Sequence, residues 1–193
     1  TPLGEVEIDE ELAARILEID CVCSDIEPHR GEHSIEVQVP FIQYLFSGAR
    51  IIPVIVPAAE FDLRLGTEVG DIIAESKEKK IVCIASTDLT HYGPRYGFYP
   101  QGTGAEALKW AKEVNDMDFI RLALSMEPHR LLEAAVQKEN ACGPGAAATV
   151  IAVAQRLGKT QGVLLAHTHS NEVMERRFGQ SSAESVGYAS IIF

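Results

Sequence analysis

Two hydrophobic periods alternate along the chain and divide it into elements. From Asp9 to Glu18, Leu12, Ile16 and Leu17 fall near one helical face, and acidic residues fill the first turn, where the helix dipole favours them. From His33 to Phe46, the spacing of Ile35, Val39, Ile42 and Phe46 predicts a helix, with a kink or a late start at Pro40. Phe61 to Lys77 is helical in pattern although Gly66 and Gly70 lower its propensity. Ile51 to Val56 and Lys80 to Ser86 are short apolar runs rich in β-branched residues and read as buried strands. Beyond the loop Thr87 to Gly93, helices are expected near residues 104–115, 116–126, 128–138 and 144–156. Two closing strands, Gln161 to His169 and Ser185 to Phe193, are expected to pair antiparallel at an edge. Buried strands separated by helical patterns predict an α/β layered fold with a mostly parallel sheet. With no repeat, low-complexity stretch or linker, residues 1–193 read as a single domain.

Composition narrows the function. Hydrophobic residues at 46% supply enough apolar surface to oppose the entropy of ordering the chain, so extensive disorder is excluded. Seventeen Lys and Arg against 28 Asp and Glu leave a net charge of -11, which argues against duplex nucleic acid and anionic membrane surfaces as partners. No run approaches the roughly 20 apolar residues of a membrane helix, and the first residues lack a signal-peptide pattern. The four cysteines lack a disulfide-scaffold spacing, so a reducing, cytoplasmic setting is expected, with Cys83 as a buried thiol. The chain opens on Thr1 rather than Met, which is expected of a processed chain or a part of a longer one.

Four places carry candidate chemistry. Ser86-Thr87-Asp88-Leu89-Thr90-His91-Tyr92-Gly93 directly follows an apolar run, the position where α/β sheets bind ligands. Asp88 can orient the His91 imidazole as a general base or beside a metal; the pair equally suits a turn cap and a surface histidine. Asn140-Ala141-Cys142-Gly143-Pro144-Gly145 precedes a small-residue helix, so Cys142 is expected at a helix N-terminus as a nucleophile, a soft metal ligand, or simply a small residue at a tight contact. The two glycines there would allow another backbone or a ligand to approach closely. In Gly31-Glu32-His33-Ser34-Ile35-Glu36, His33 and Glu36 would share a helical face, although capping accounts for the same pattern. His167 and His169 alternate on a strand and can share a metal, but a strand running out of the core is the favoured reading. Tyr92, Tyr96, Phe98 and Tyr99 would line a pocket or pack beneath a lid.

In order along the chain, Thr1-Pro2-Leu3-Gly4, Glu32-His33-Ser34-Ile35-Glu36, Val39-Pro40-Phe41, Ile51-Ile52-Pro53-Val54, Ser86-Thr87-Asp88 with His91 and Gly93, Ala141-Cys142-Gly143 and Ser185-Val186-Gly187-Tyr188-Ala189 resemble the Memo-like family, also called AmmeMemoRadiSam system protein B. The resemblance implies a three-layer α/β/α fold like that of class III extradiol dioxygenases, with a pocket able to hold iron or copper. It implies Cys142 as a metal ligand, Asp88 and His91 as polar groups beside the metal, and His33 as a pocket histidine. The family also has an N-terminal segment with Pro-His-Ala-Gly and Pro-Ser-His motifs, whose histidines complete the site. Neither motif is in this sequence, so that segment or another subunit is an expected partner, and apolar surface is expected to be exposed where it would pack.

Three functions follow. One is a metal-dependent redox protein with Cys142 as ligand and His91 oriented by Asp88. Another is a cysteine hydrolase or transferase with Cys142 as nucleophile and His91 as base. The third is a non-catalytic module whose pocket binds a small molecule or peptide. The redox reading ranks first for the family, the binding reading for this chain alone.

Overall fold

The computed structural model describes residues 1–57 and 63–193. Helix α1 spans Glu10–Leu17, capped by Asp9, whose carboxylate accepts the Leu12 N–H. The chain from His33 first makes turns, and α2 begins only at Val39 and runs to Leu45 with Pro40 in its first turn. That is the late start Pro40 predicts. Helix α3 follows at Arg64–Glu75; the expected residues Phe61 and Asp62 lie outside the described ones. After the His91 loop come α4 (Ala105–Trp110), a π-helical turn (Ala111–Asp116), α5 (Met117–Leu124), α6 (Pro128–Lys138) and α7 (Pro144–Arg156). Helix α8, Ser170–Phe178, was not expected.

Among the described residues the sheet has three strands: β1 (His91–Tyr92), β2 (Val163–His169) and β3 (Ser185–Ile192). Their order is β1-β3-β2, and both pairings are antiparallel. The expected antiparallel pair of closing strands is therefore present. The mostly parallel sheet is not what these strands form. Ile51–Val56 and Lys80–Ser86 carry no regular strand, and among the described residues no ladder joins them; an isolated parallel bridge connects Ile8 to Ile51. The physical reason is visible in their burial. A central parallel strand is covered on both faces. Here Ile81, Cys83 and Ala85 are half-buried, while Val82 is 81% and Ile84 58% exposed. The run is covered on one side only.

The main core joins α5, α6 and α7 through Phe119, Ile120, Leu131 and Ile151, with Leu164 and Ile191 of β2 and β3 packed against it. A second cluster holds α1 against α3 and the apolar runs 51–56 and 80–86 through Leu12, Ile16, Val69, Ile52 and Ile81. Helix α3 approaches α7 so closely that a Cβ on Gly66 would lie 2.5 Å from Ala152 Cβ and 2.7 Å from the Thr149 carbonyl oxygen. Gly66 gives up intrinsic helix stability of about 1 kcal/mol relative to Ala to permit that crossing.

Two outcomes test this packing. Gly66→Ala is expected to destabilise the chain by about 1–3 kcal/mol in urea unfolding, because overpacking against a rigid neighbour exceeds the propensity gain; a stabilised variant would contradict the close crossing. The open edge at Val82 and Ile84 is expected to drive concentration-dependent self-association in light scattering, reduced by Val82→Lys. A wild-type chain that stays monomeric at every concentration would count against it.

Candidate functional site

Two loops distant in sequence are tied together where the apolar run 80–86 ends and α7 begins. Cys142 N–H donates to the Asp88 carbonyl at 3.2 Å, and Gly143 N–H donates to Thr87 Oγ1 at 2.8 Å. In return, Asp88 N–H donates to Cys142 Sγ at 3.3 Å, with Thr87 Oγ1 3.8 Å from the same sulfur. These bonds place the exposed thiol beside Asp88 rather than leaving it on a mobile tip. Three residues on, His91 begins β1, and its Nε2 donates to Asp88 Oδ2 at 3.2 Å. One donor atom from each of Asp88, His91 and Cys142 lies within 4.8 Å of the others. The structure thus brings together the thiol and the imidazole singled out in the sequence, with the carboxylate between them.

A cavity of about 340 Å³ opens beside this group, lined by His91 and Cys142 together with Leu89, Tyr96, Phe98 and Ala141 among others. Tyr96 packs on His91 with ring centroids 5.1 Å apart. The four aromatic residues named from the sequence divide. Tyr96 and Phe98 line the cavity. Tyr92 is fully buried, its hydroxyl donating to Gly102 O and accepting from Gln101 N–H, and Tyr99 is exposed. Tyr188 of β3 also feels the site: burial, the Asp88 charge and Tyr96 push its phenol above the ordinary value.

His33 lies outside this group and is not among the residues lining the cavity. It precedes a stretch of turns rather than sitting inside a helix, so the expected helical face shared with Glu36 does not form. Glu32 caps that turn: hydrogen bonds from the Ser34 N–H and hydroxyl hold its carboxyl below the ordinary value. Of the other cysteines, Cys83 is half-buried and its thiol is pushed up by burial. Gly145 serves the close approach expected of it, since a Cβ there would overlap the Pro57 carbonyl.

A second group was not assembled from the sequence. Asp116, the last residue of the π-helical turn, is completely buried and receives Nε2 of both His167 and His169 on Oδ2, at 2.9 and 3.0 Å. Its Oδ1 accepts the Thr90 N–H at 3.0 Å. Burial raises the Asp116 carboxyl, but the hydrogen bonds from His169, Thr90 and His167 outweigh it and hold the group below its ordinary value. The alternation of His167 and His169 was legible; Asp116 sits in an amphipathic helical stretch and carries no sequence signal of its own. The two groups are neighbours through Thr90, whose hydroxyl also accepts from Asn115 Nδ2 at 3.1 Å. Asn115 in turn receives on its carbonyl the Nδ2–H of Asn140, two residues before Cys142. Among the described residues, no helix is long and apolar enough to cross a membrane.

Comparison with known proteins agrees with this arrangement of motifs. The profile of the Memo-like protein family matches residues 1–192. A MEMO1 family protein of Thermococcus kodakarensis is 38% identical over 202 residues, covering all of this chain and 67% of its own length. MEMO1 family proteins of Caldivirga maquilingensis and Pyrococcus furiosus are 36% and 37% identical, again over the whole chain and over 63% and 66% of their lengths. The chain therefore spans about two thirds of the length of these relatives. It belongs to the Memo-like protein family.

Proposed function

We propose that this chain carries the thiol side of a metal-dependent redox centre for iron or copper, with Cys142, Asp88 and His91 around the ion. The observation that carries the reading is the convergence of one sulfur, one imidazole nitrogen and one carboxylate oxygen within 4.8 Å at the mouth of a cavity. The donor set fits the group: a thiolate with an imidazole suits soft and borderline transition ions, and three protein ligands are enough for a site with open positions. An ion of this class supplies one-electron chemistry and coordination positions for a small reactant. The protein's own part is positional. With no ion bound, the Asp88 carboxylate holds the His91 ring in place for it; the Asp88 N–H orients the sulfur, and Tyr96 and Phe98 give the cavity an apolar wall. The cavity is at the small end of the range for ligand pockets, which suits a small molecule.

In the same proposal the complete protein has the three-layer, dioxygenase-like arrangement. The apolar segments 51–56 and 80–86 then receive flanking strands from the family's N-terminal segment or another subunit, which covers the exposed Val82 and Ile84. Histidines from that source add to the ligand set.

The cysteine hydrolase reading has weaker support. A Cys–His nucleophile pair works through a hydrogen bond between sulfur and ring. Here the sulfur faces Asp88 N–H and Thr87, and His91 Nε2 faces Asp88.

Loading the chain with copper(II) is expected to give a thiolate-to-metal charge-transfer absorption that Cys142→Ala abolishes. Persistence of that band in the variant, or its absence from the wild type, would remove Cys142 as a ligand. Asp88→Asn keeps the shape of the loop but replaces a carboxylate donor by a neutral amide. It is expected to lower affinity at the thiol site by about 10–100-fold, followed through the same band. An unchanged titration would show that Asp88 has no part in the site. If both variants and the wild type bind no metal while a ligand still occupies the cavity, the non-catalytic binding reading prevails.

A further inference from the structure

We propose that Asp116, His167 and His169 form a second metal site, for a divalent first-row transition ion of the zinc type, independent of the thiol centre. The placement comes from the fold. Alternation along β2 puts His167 and His169 on one face, in register with Ala189 and Gly187 of β3. The π-helical turn delivers Asp116 against that face. Gly187 lets the carboxylate come down onto the strand, since a Cβ there would overlap Asp116 Oδ2.

Distances fit a three-ligand half-shell. Both imidazole Nε2 atoms lie 2.9–3.0 Å from Asp116 Oδ2, and the three donor atoms are within 4.8 Å of one another. Neighbouring ligands bonded at about 2.1 Å to one ion are separated by about 3.0 Å at right angles and about 3.4 Å in a tetrahedron. The supporting shell is also present. Ser185 Oγ lies 3.0 Å from His169 Nδ1, and the Thr90 N–H fixes the other carboxylate oxygen.

The protons balance without release. With the site empty, each Nε2–H donates to the carboxylate, and His169 Nδ1 accepts from the Ser185 hydroxyl. With an ion bound, each ring carries its proton on Nδ1 instead. Ser185 then accepts from His169, a reversal that a hydroxyl allows. Burial favours a resident ion over a transient one: Asp116 is 0% and His169 3% exposed, and the His167 side chain, at 10%, is the side of approach. Two imidazoles converge on one buried carboxylate oxygen, and the assembly matches the two-nitrogen, one-oxygen set that borderline ions prefer.

The test uses the whole chain with Cys142→Ala, which silences the thiol centre. Cobalt(II) added to the metal-free variant is expected to bind at one equivalent with ligand-field bands and no sulfur charge transfer. Zinc is expected to displace it and to raise the thermal midpoint. His167→Gln, at the least buried of the three ligands, is expected to weaken cobalt binding by about tenfold or more. Because that substitution could also perturb folding, X-ray absorption of the cobalt-loaded Cys142→Ala chain gives a readout with the site itself untouched. Two imidazole ligands and no sulfur are expected. Failure of the Cys142→Ala chain to bind cobalt or zinc, oxygen-only coordination, or unchanged affinity in a folded His167→Gln protein would each overturn the site. None of these results bears on the copper–thiolate band, so the two centres stand or fall separately.

Discussion

The reciprocal backbone bonding between Asp88 and Cys142 is the constraint on which the site depends. One N–H runs from Cys142 to the Asp88 carbonyl and another from Asp88 to the Cys142 sulfur, joining positions 54 residues apart. Without this closure, a cysteine ahead of α7 and a histidine after an apolar run would be two unrelated surface residues. With it, Leu89 and His91 of one loop and Cys142 and Pro144 at the start of α7 line one cavity. Thr87 extends the link by accepting from Gly143 N–H, so two consecutive residues on each side take part.

A buried polar chain stands behind that wall. Thr90, Asn115 and Asn140 hydrogen-bond in sequence, and Thr90 N–H reaches Asp116 with its two histidines. Buried polar groups in low dielectric are costly when unpaired and rigid when satisfied. This chain, hydrogen-bonded except at Asn140 Oδ1, ties together both loops of the thiol site: Thr90 sits between Asp88 and His91, and Asn140 just ahead of Cys142. The second group is thus joined to the first through Thr90, while metal binding at each is a separate property.

Much of this was legible in the sequence where a local signal coincided with the final structure. Helices α6 and α7 begin at Pro128 and Pro144, prolines suited to a first turn, and Pro40 marked the start of α2. The meeting of Cys142 with Asp88 and His91 followed from two loops placed at element ends. What escaped was decided by neighbours. Lys80–Ser86 has the composition of a central strand, but a ladder needs partner backbones that local sequence does not encode. Helix α8 buries no residue, so its signals were the acidic Glu172, the basic Arg176 and Arg177 and the closing Gly179 rather than an apolar stripe. His33 was named from the family resemblance rather than from a local signal; the helix expected around it starts six residues later, at Val39, and His33 does not line the cavity. Asp116 became visible only once the π-helical turn and Gly187 were in place.

The most direct test of the central claim is an anomalous-difference map from crystals of the chain loaded with copper or iron, collected at the metal's absorption edge. The expected result is a peak within bonding distance of Cys142 Sγ, about 2.3 Å, on the side facing His91 and Asp88. A loaded protein with no density at that sulfur, or with its metal bound only at other residues, would contradict the account.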